Sequence, residues 1–300
     1  MGRVQIDQLS RQALLSNINC DEIGKLLVPN PDPGVQKSMV EKLDRDWRLW
    51  QDRLLEAREL LMIGDREIAK RLGLRPPSRI DPQAWAVQRD ALIQGRRLNA
   101  EFFHPERLLT VRTITEARTP SRRVDSAASF IHDPVDAPAP RDFYVGLAQV
   151  ERDTGELAEA QEDEDDRPSG AALRFQSGDV LFAKLRPYLN KVHLAERGGV
   201  CSPEFFVLRP NEDVRGEYLA AILRSEITLA QTRHMAGGNT HPRLTPADVH
   251  AMFIPMPNRK LQDKIADRAT ASREQARAIK INAEQDWSDA KQHFGDDLFR

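Results

Sequence analysis

The segment from Lys184 to Lys191 carries the densest group of side chains that could bind an anion. It follows a Gly-Asp turn and a short apolar run, Val180 to Phe182, which predicts a buried strand that opens into a loop. From Arg174 to Lys191 there are four cations and one acid, a local net charge of +3. Lysine and arginine neutralise phosphates, and Arg and Asn can pair with guanine and adenine edges. The predicted DNA contacts in this loop are Lys184, Arg186, Tyr188, Asn190 and Lys191.

A second basic loop runs from Thr232 to Arg243 and contains no acidic residue. Two adjacent glycines let the backbone approach a ligand closely, and their N–H groups could bind phosphate. The predicted contacts here are Gly237, Gly238, Asn239, Thr240 and Arg243. Each loop also has a purely structural interpretation. In that interpretation, the cations of the first loop are solvated surface charges and Tyr188 is a core residue. The second loop is then a flexible turn between a helix and a strand.

The composition limits how such loops could act. The formal net charge of the 300 residues is −2, so no global positive field attracts nucleic acid and any DNA binding must depend on local clusters. Cys20 and Cys201 have no CxxC partner, which is typical of reduced cytosolic thiols. No apolar run approaches the ~18 residues of a membrane span and no signal peptide opens the chain, so we expect a cytoplasmic protein without membrane contact.

The sequence offers no complete catalytic site. Asn30-Pro31-Asp32-Pro33 is the nearest match to the Asn/Asp-Pro-Pro-aromatic motif of DNA amino-methyltransferases, and it lacks the Pro-Pro pair and the aromatic. No Gly-rich cofactor loop follows a strand, which argues against S-adenosylmethionine binding. Asp179 and Lys184 flank a strand without the second carboxylate that a Mg²⁺-dependent nuclease needs. We therefore predict no catalytic residues, no metal and no cofactor.

An internal repeat frames the two loops. At an offset of 226 residues, Ile23 to Pro31 aligns with Val249 to Pro257, and Gln36 aligns with Gln262. In each copy a short apolar strand ends in Pro-x-Pro and a long helical pattern follows. Because proline fixes φ and removes a donor, each Pro-x-Pro should end the strand and turn the chain into the helix.

Both helices that follow the repeats have an apolar seam. In the first helix the seam residues recur at alternating spacings of 3 and 4 over about three heptads; they are Val40, Leu43, Trp47, Trp50, Leu54, Ala57 and Leu61. The seam of the second helix is thinner and rich in alanine, with Ile265, Ala269, Ala276, Ile279 and Ala283. These patterns predict an antiparallel helix pair within one chain, although ordinary amphipathic core helices would also fit. The residues between the helices alternate strand-like and loop segments, which predicts an α+β domain.

The order of these motifs resembles a known family. Phe182 to Lys191, Phe-Ala-Lys-Leu-Arg-Pro-Tyr-Leu-Asn-Lys, is similar to the signature of target-recognition domains in the specificity subunits of type I restriction-modification enzymes. Cys201 to Pro210, Pro242 to Leu244 and Ile254 to Pro257 continue the same order, and Leu98 to Pro105 resembles the opening of a half-subunit. The resemblance covers about residues 97 to 290, plus the helical tail of a preceding repeat.

The resemblance implies an α+β fold, in which a mixed α/β target-recognition domain is joined to two long helices that form an antiparallel coiled-coil stalk. The expected segments are a remnant of a first recognition domain (1–34), the first conserved helix (35–75), a linker and short helix (76–105), the DNA target-recognition domain (106–258) and the second conserved helix (259–294). Only the second recognition domain is complete, which departs from the two domains usual in the family.

The resemblance also implies a function. The chain would be a non-catalytic subunit that binds double-stranded DNA and directs adenine methylation and restriction to half of a bipartite site. Its partners would be adenine methyltransferase (M) subunits, a translocase-nuclease (R) subunit and a second half-specificity subunit. The expected docking residues on the helices are Val40, Leu43, Trp47, Trp50, Leu54, Leu61, Ile265 and Ile279. The alternative is an assembly or remnant half-subunit, whose stalk binds other proteins without independent DNA recognition.

Overall fold

A computed structural model of the 300-residue chain describes residues 23, 25–26, 28–75, 82, 84–89, 92, 100–136, 139, 142–158, 170–235 and 242–298. Most of the predicted remnant, much of the predicted linker and the glycines of the second loop therefore lie outside the described residues. The chain divides into two compact units: Met1–Glu56 with Ala278–Arg300, and Ala57–Arg277. Within the described part no helix is both long and apolar enough to cross a membrane.

The helices of the described residues are α1 Pro33–Arg71, α2 Pro105–Thr115, α3 Val124–Ala127, α4 Gly216–Arg224, α5 Glu226–Thr232, α6 Pro246–His250 and α7 Arg259–Leu298, with 3₁₀ turns at Ala100–Phe103 and Pro187–Leu189. The strands are β1 Ser121–Arg123, β2 Ala128–Ile131, β3 Pro134–Val135, β4 Tyr144–Val145, β5 Ala172–Phe175, β6 Val180–Ala183, β7 Val192–Leu194, β8 Gly199–Cys201, β9 Phe205–Pro210 and β10 Phe253–Pro255. This mixture of helices and sheets with a long C-terminal helix confirms the predicted α+β class.

In the smaller unit, the first half of α1 and the last half of α7 contact each other in antiparallel order. Lys42 pairs with Asp297 at 3.7 Å, whereas further along α1 the ring of Trp50 stacks on Trp287 with centroids 5.8 Å apart. The indole N–H of Trp50 also donates to Glu284 at 3.2 Å. As the residue number rises on α1 it falls on α7, so the predicted antiparallel pair is confirmed.

The position of the seam on α1 was predicted wrongly at two residues. Val40 and Trp47 are 52% and 48% exposed, while Met39 is buried and Leu43 and Trp50 are half-buried. The contacting face follows the 3.6-residue period of a straight helix, and it drifts away from a strict seven-residue repeat. Val40 and Trp47 therefore lie on the flank of the pair. Their predicted role in docking a partner stays a prediction.

In the larger unit, a four-stranded antiparallel sheet of order β2-β9-β6-β7 separates two cores. Side chains of a strand alternate between its faces. Val180 and Phe182 of β6 accordingly enter the core that includes Leu219 of α4, and Leu181 enters the core shared with the sheet β3-β5-β8-β4. Because both faces are covered, every residue of β6 is buried, which explains its continuous apolar run.

The largely apolar stretch from Tyr218 to Ile227 spans parts of two helices. The chain leaves the helical conformation at Ser225, whose ψ is 158°, so that α4 ends at Arg224 and α5 begins at Glu226. The Ser225 hydroxyl donates to the Ile222 carbonyl at 2.6 Å, which stabilises the break. This break allows α5 to change direction and approach α2.

Candidate nucleic-acid interface

The two predicted loops meet in the structure. Leu185 and Arg243 form an antiparallel bridge, and the N–H of Arg186 donates to the Pro242 carbonyl at 2.7 Å. The N–H of Leu244 donates to the Lys184 carbonyl at 2.9 Å. These three contacts fix the first loop against the end of the second. No local pattern predicted this contact, because the paired residues lie almost 60 positions apart.

Arg186 has the most unusual environment in the first loop. Its φ of 49° is left-handed, a conformation that costs a non-glycine residue about 1–2 kcal/mol. Its Nε is buried and has no hydrogen-bond partner among the described residues. Strained backbone and unpaired buried donors are rare in folded proteins, and both concentrate at functional sites.

The two lysines of the loop have partners within the protein. Lys184 Nζ donates to the Pro203 carbonyl at 2.6 Å and lies 4.9 Å from the centre of the Phe206 ring. Lys191 Nζ donates to the Leu147 carbonyl at 2.6 Å. Burial lowers the pKa of both ammonium groups; a neighbouring Glu204 opposes the shift at Lys184. Both cations therefore hold the loop to the domain.

The remaining two residues of this loop differ in exposure. Asn190 is buried, and its Nδ2 donates to the Arg224 carbonyl at 2.8 Å, so this side chain shapes the loop from inside. It also adopts a left-handed φ of 51°, which asparagine tolerates better than most residues. Tyr188 is 45% exposed, so it is not a core residue and its ring is accessible to a ligand.

In the second loop, Gly237, Gly238, Asn239 and Thr240 lie outside the described residues. Arg243 is exposed, and Glu204 accepts from its Nε at 2.9 Å and from its Nη2 at 3.0 Å. This pairing raises the pKa of Arg243, with the hydrogen bond as the largest cause. Because the pair is neutral overall, Arg243 attracts phosphate less strongly than an isolated arginine would.

Asp179 has the turn function that the sequence suggested. Its carboxylate accepts from the N–H of Gln176 at 2.9 Å, and Arg209 donates to it with Nε at 2.8 Å and Nη2 at 2.9 Å. Gly178 precedes it with a φ of 88°, which requires glycine. The carboxylate thus stabilises the turn that leads into β6.

A cluster that sequence reasoning missed includes the first residues of the second loop. Glu106 is 1% exposed and forms an ion pair with Arg233, and its Oε2 lies 2.8 Å from Nε2 of His234. The rings of His104 and His234 stack with centroids 3.5 Å apart and planes inclined by 14°. Two histidines and a glutamate form a donor set that Zn²⁺ uses. A metal ion must lie in the plane of each ligating ring, however, and stacked parallel rings cannot both meet this condition. The arrangement is that of a buried polar network that anchors α2 to the end of α5.

The geometry thus defines a class of protein: a chain with an α+β domain, in which the first loop adjoins the described end of the second, and with two long helices that pair in antiparallel order in the smaller unit. A solved structure described as "Structural basis underlying complex assembly and conformational transition of the type I R-M system" is similar in fold, with a TM-score of 0.50 and 13% identity over 99% of this chain and 66% of that one. The HsdS subunit of Thermoanaerobacter tengcongensis aligns over 99% of this chain and 65% of its own, with a TM-score of 0.40 and 14% identity.

One curated protein gives the sequence relationship. The EcoDI specificity subunit of the type I restriction enzyme from Escherichia coli is 23% identical over 146 residues, which are 49% of this chain and 32% of that subunit. The match therefore spans about a third of the length of its relative. No family model matches the chain. The resemblance to specificity subunits of type I restriction-modification enzymes, predicted from the order of the motifs, is confirmed.

Proposed function

We propose that this chain is the non-catalytic, sequence-specific DNA-binding subunit of a type I restriction-modification complex in the cytoplasm. In this role it directs adenine methylation and restriction to its target site. The similarity to the EcoDI specificity subunit supports the proposal. So does a fold in which two basic loops adjoin on one domain.

The observation that carries the proposal is the unpaired Nε of Arg186. Within the described parts of the two loops, the other lysines and arginines donate to protein oxygens of Pro203, Leu147, Glu204, Glu106 or Glu226, whereas Arg186 has a buried Nε without a partner. A guanidinium fork binds phosphate or guanine through two parallel hydrogen bonds. DNA would therefore offer acceptors to a guanidinium whose Nε has no partner among the described residues.

The other predicted contacts take different parts in this proposal. Tyr188 is exposed beside Arg186 and is the second direct contact. Lys184, Asn190 and Lys191 hold the loop in shape through their hydrogen bonds to the domain. Arg243 contacts phosphate after release from Glu204. Gly237, Gly238, Asn239 and Thr240 stay predicted contacts on the strength of their sequence.

We propose that the helices dock adenine methyltransferase subunits, and that a translocase-nuclease subunit joins the same complex. The half-exposed Val40 and Trp47 are the best-placed docking residues, because they lie on the flank of the helix pair. Leu43, Trp50, Leu54, Leu61 and Ile279 are half-buried, and Ile265 is buried; these act through the packing of the helices. A second half-specificity subunit supplies the other half of the bipartite site.

The test is co-expression with an adenine methyltransferase of the type I class, followed by sequencing of methylated adenines and by DNA-binding measurements at several salt concentrations. Arg186→Ala should lower site-specific affinity about tenfold and reduce the salt slope by about one. Arg174→Ala is the matched control, because Arg174 lies on β5 and pairs with Asp133 at 3.7 Å. It should change neither quantity.

Two results would contradict the proposal. If Arg186→Ala leaves affinity and methylation unchanged while the protein stays folded by circular dichroism, Arg186 is not a DNA contact. If the unaltered chain binds a methyltransferase but shows no salt-dependent DNA binding, it is an assembly or remnant half-subunit. The exposed Val40 and Trp47 are compatible with that alternative as well.

A further inference from the structure

The turn of residues 151–156, called the clamp turn below, has a backbone geometry that few sequences adopt. Asp153 and Gly155 both have positive φ, at 65° and 68°. The N–H of Glu151 donates to the Glu156 carbonyl at 2.8 Å and closes the turn. Left-handed conformation costs free energy at Asp153, though not at Gly155, so the surrounding contacts must hold Asp153 in this conformation.

On one side the clamp turn contacts the end of the first loop, Lys184 to Lys191, which is called the Arg186 loop below. The N–H of Asp153 donates to the Asn190 carbonyl at 3.3 Å, and Asn190 Nδ2 lies 3.5 Å from Asp153 Oδ1. The Gly155 carbonyl lies 2.9 Å from Nδ1 of His193. A Cβ on Gly155 would lie 1.8 Å from the Val192 carbonyl oxygen, so this close approach requires glycine.

On the other side the clamp turn is bound to α7 through Glu156. Arg273 of α7 donates to Glu156 Oε1 from Nε at 2.8 Å, and Arg277 donates to Oε2 from Nε at 3.1 Å. Burial by itself would raise the pKa of Glu156, but the two guanidinium groups outweigh it and the pKa is lowered. Arg58 of α1 adds a 3.4 Å contact to Asp153. Glu156 is thus a charged, half-buried carboxylate between two arginines of one helix.

We propose that Glu156 is a positioning residue for DNA recognition: by binding Arg273 and Arg277 it fixes the clamp turn on α7, and the clamp turn fixes the Arg186 loop. The connection is short, because Asn190 ends the 3₁₀ turn that Arg186 begins. A loop held in this way needs no ordering when DNA binds, and pre-ordering raises affinity. The proposal rests on the proposed function only in naming DNA as the ligand of the loop.

The test uses the full chain and the substitution Glu156→Gln, with Glu196→Gln as the matched control. Glu196 also approaches Arg277, at 3.8 Å, but it is 75% exposed and contacts neither the clamp turn nor the loop by any hydrogen bond of its side chain in the described residues. Without DNA, Glu156→Gln should speed amide hydrogen exchange of residues 184–191 about tenfold, while exchange of β9 stays unchanged. It should also lower DNA affinity, whereas the control should do neither.

Three outcomes would overturn the proposal. In the first, amide exchange of residues 184–191 in Glu156→Gln stays at the level of the control. In the second, exchange rises equally in β9, which would mean that Glu156 contributes to general stability. In the third, exchange of residues 184–191 rises but DNA affinity stays unchanged. If Glu156→Gln does not fold, the same measurements are made on Arg277→Gln, which keeps the bond between Arg273 and Glu156. The same outcomes would overturn the proposal. Because exchange is measured without DNA, its outcome is independent of whether Arg186→Ala affects binding, so failure of the clamp and failure of the proposed function can be told apart.

Discussion

Replacing Arg186 by glycine should make this protein more stable and at the same time weaken its binding to DNA. The backbone at Arg186 has a φ of 49°, and its Nε is buried without a partner among the described residues. Glycine adopts positive φ without steric cost, and it carries no donor to bury. Both unfavourable features disappear in Arg186→Gly.

The size of the effect follows from three contributions. Relief of the left-handed conformation stabilises the folded chain by about 1–2 kcal/mol. Removal of an unpaired buried donor adds about 1–3 kcal/mol. The greater freedom of glycine in the unfolded chain and the lost packing of the arginine stem offset about 1–2 kcal/mol of this. We therefore expect a free energy of unfolding that is about 2 kcal/mol above that of the original chain.

The assay is urea denaturation followed by circular dichroism, with DNA binding measured by fluorescence anisotropy on the same samples. Asn190→Gly is the matched control: its φ of 51° is relieved too, but the substitution removes the 2.8 Å hydrogen bond to the Arg224 carbonyl. That control should lose about 1 kcal/mol. A fall in stability for Arg186→Gly as large as that of the control would refute the reasoning, since it would mean that the arginine side chain is satisfied in the free protein.

Two further predictions concern the clamp turn and its neighbour. Gly155→Ala should destabilise the chain by about 3 kcal/mol or more in urea denaturation, because φ is 68° and the new Cβ would lie 1.8 Å from the Val192 carbonyl oxygen; a loss below 1 kcal/mol would contradict this close approach. Burial is the largest cause of the lowered pKa of His193, so stability should be fully present above about pH 6.5 and should be lost as pH falls through the lower folded pKa. His193→Gln should flatten this dependence between pH 7 and pH 5, and an equal slope in both proteins would argue against it.

The sequence by itself predicted the two long helices, the strand before the first loop and the order of the motifs. The apolar run Val180 to Phe182 became a buried strand, because a short apolar run bounded by turn residues is typical of such a strand. Pro255-Met256-Pro257 ended β10 and preceded α7, since proline cannot continue a ladder. The alternation of apolar and charged residues predicted two long helices that pack in antiparallel order, and the order of the motifs indicated the relatives.

Only the tertiary structure decided which charged side chains stay available to a ligand. The sequence does not distinguish the three cations of the first loop as DNA contacts. In the structure, however, Lys184 and Lys191 donate to carbonyls 19 and 44 positions away, whereas Arg186 keeps an unpaired Nε among the described residues. Likewise, Glu106 meets Arg233 across 127 positions. Turn propensity and hydrophobic period are local properties that a short segment encodes, whereas the partner of a charge depends on how distant segments pack. For the same reason, the spacing of apolar residues predicted the helix pair but not which face of α1 contacts α7. The exposure of Val40 and Trp47 depended on that packing.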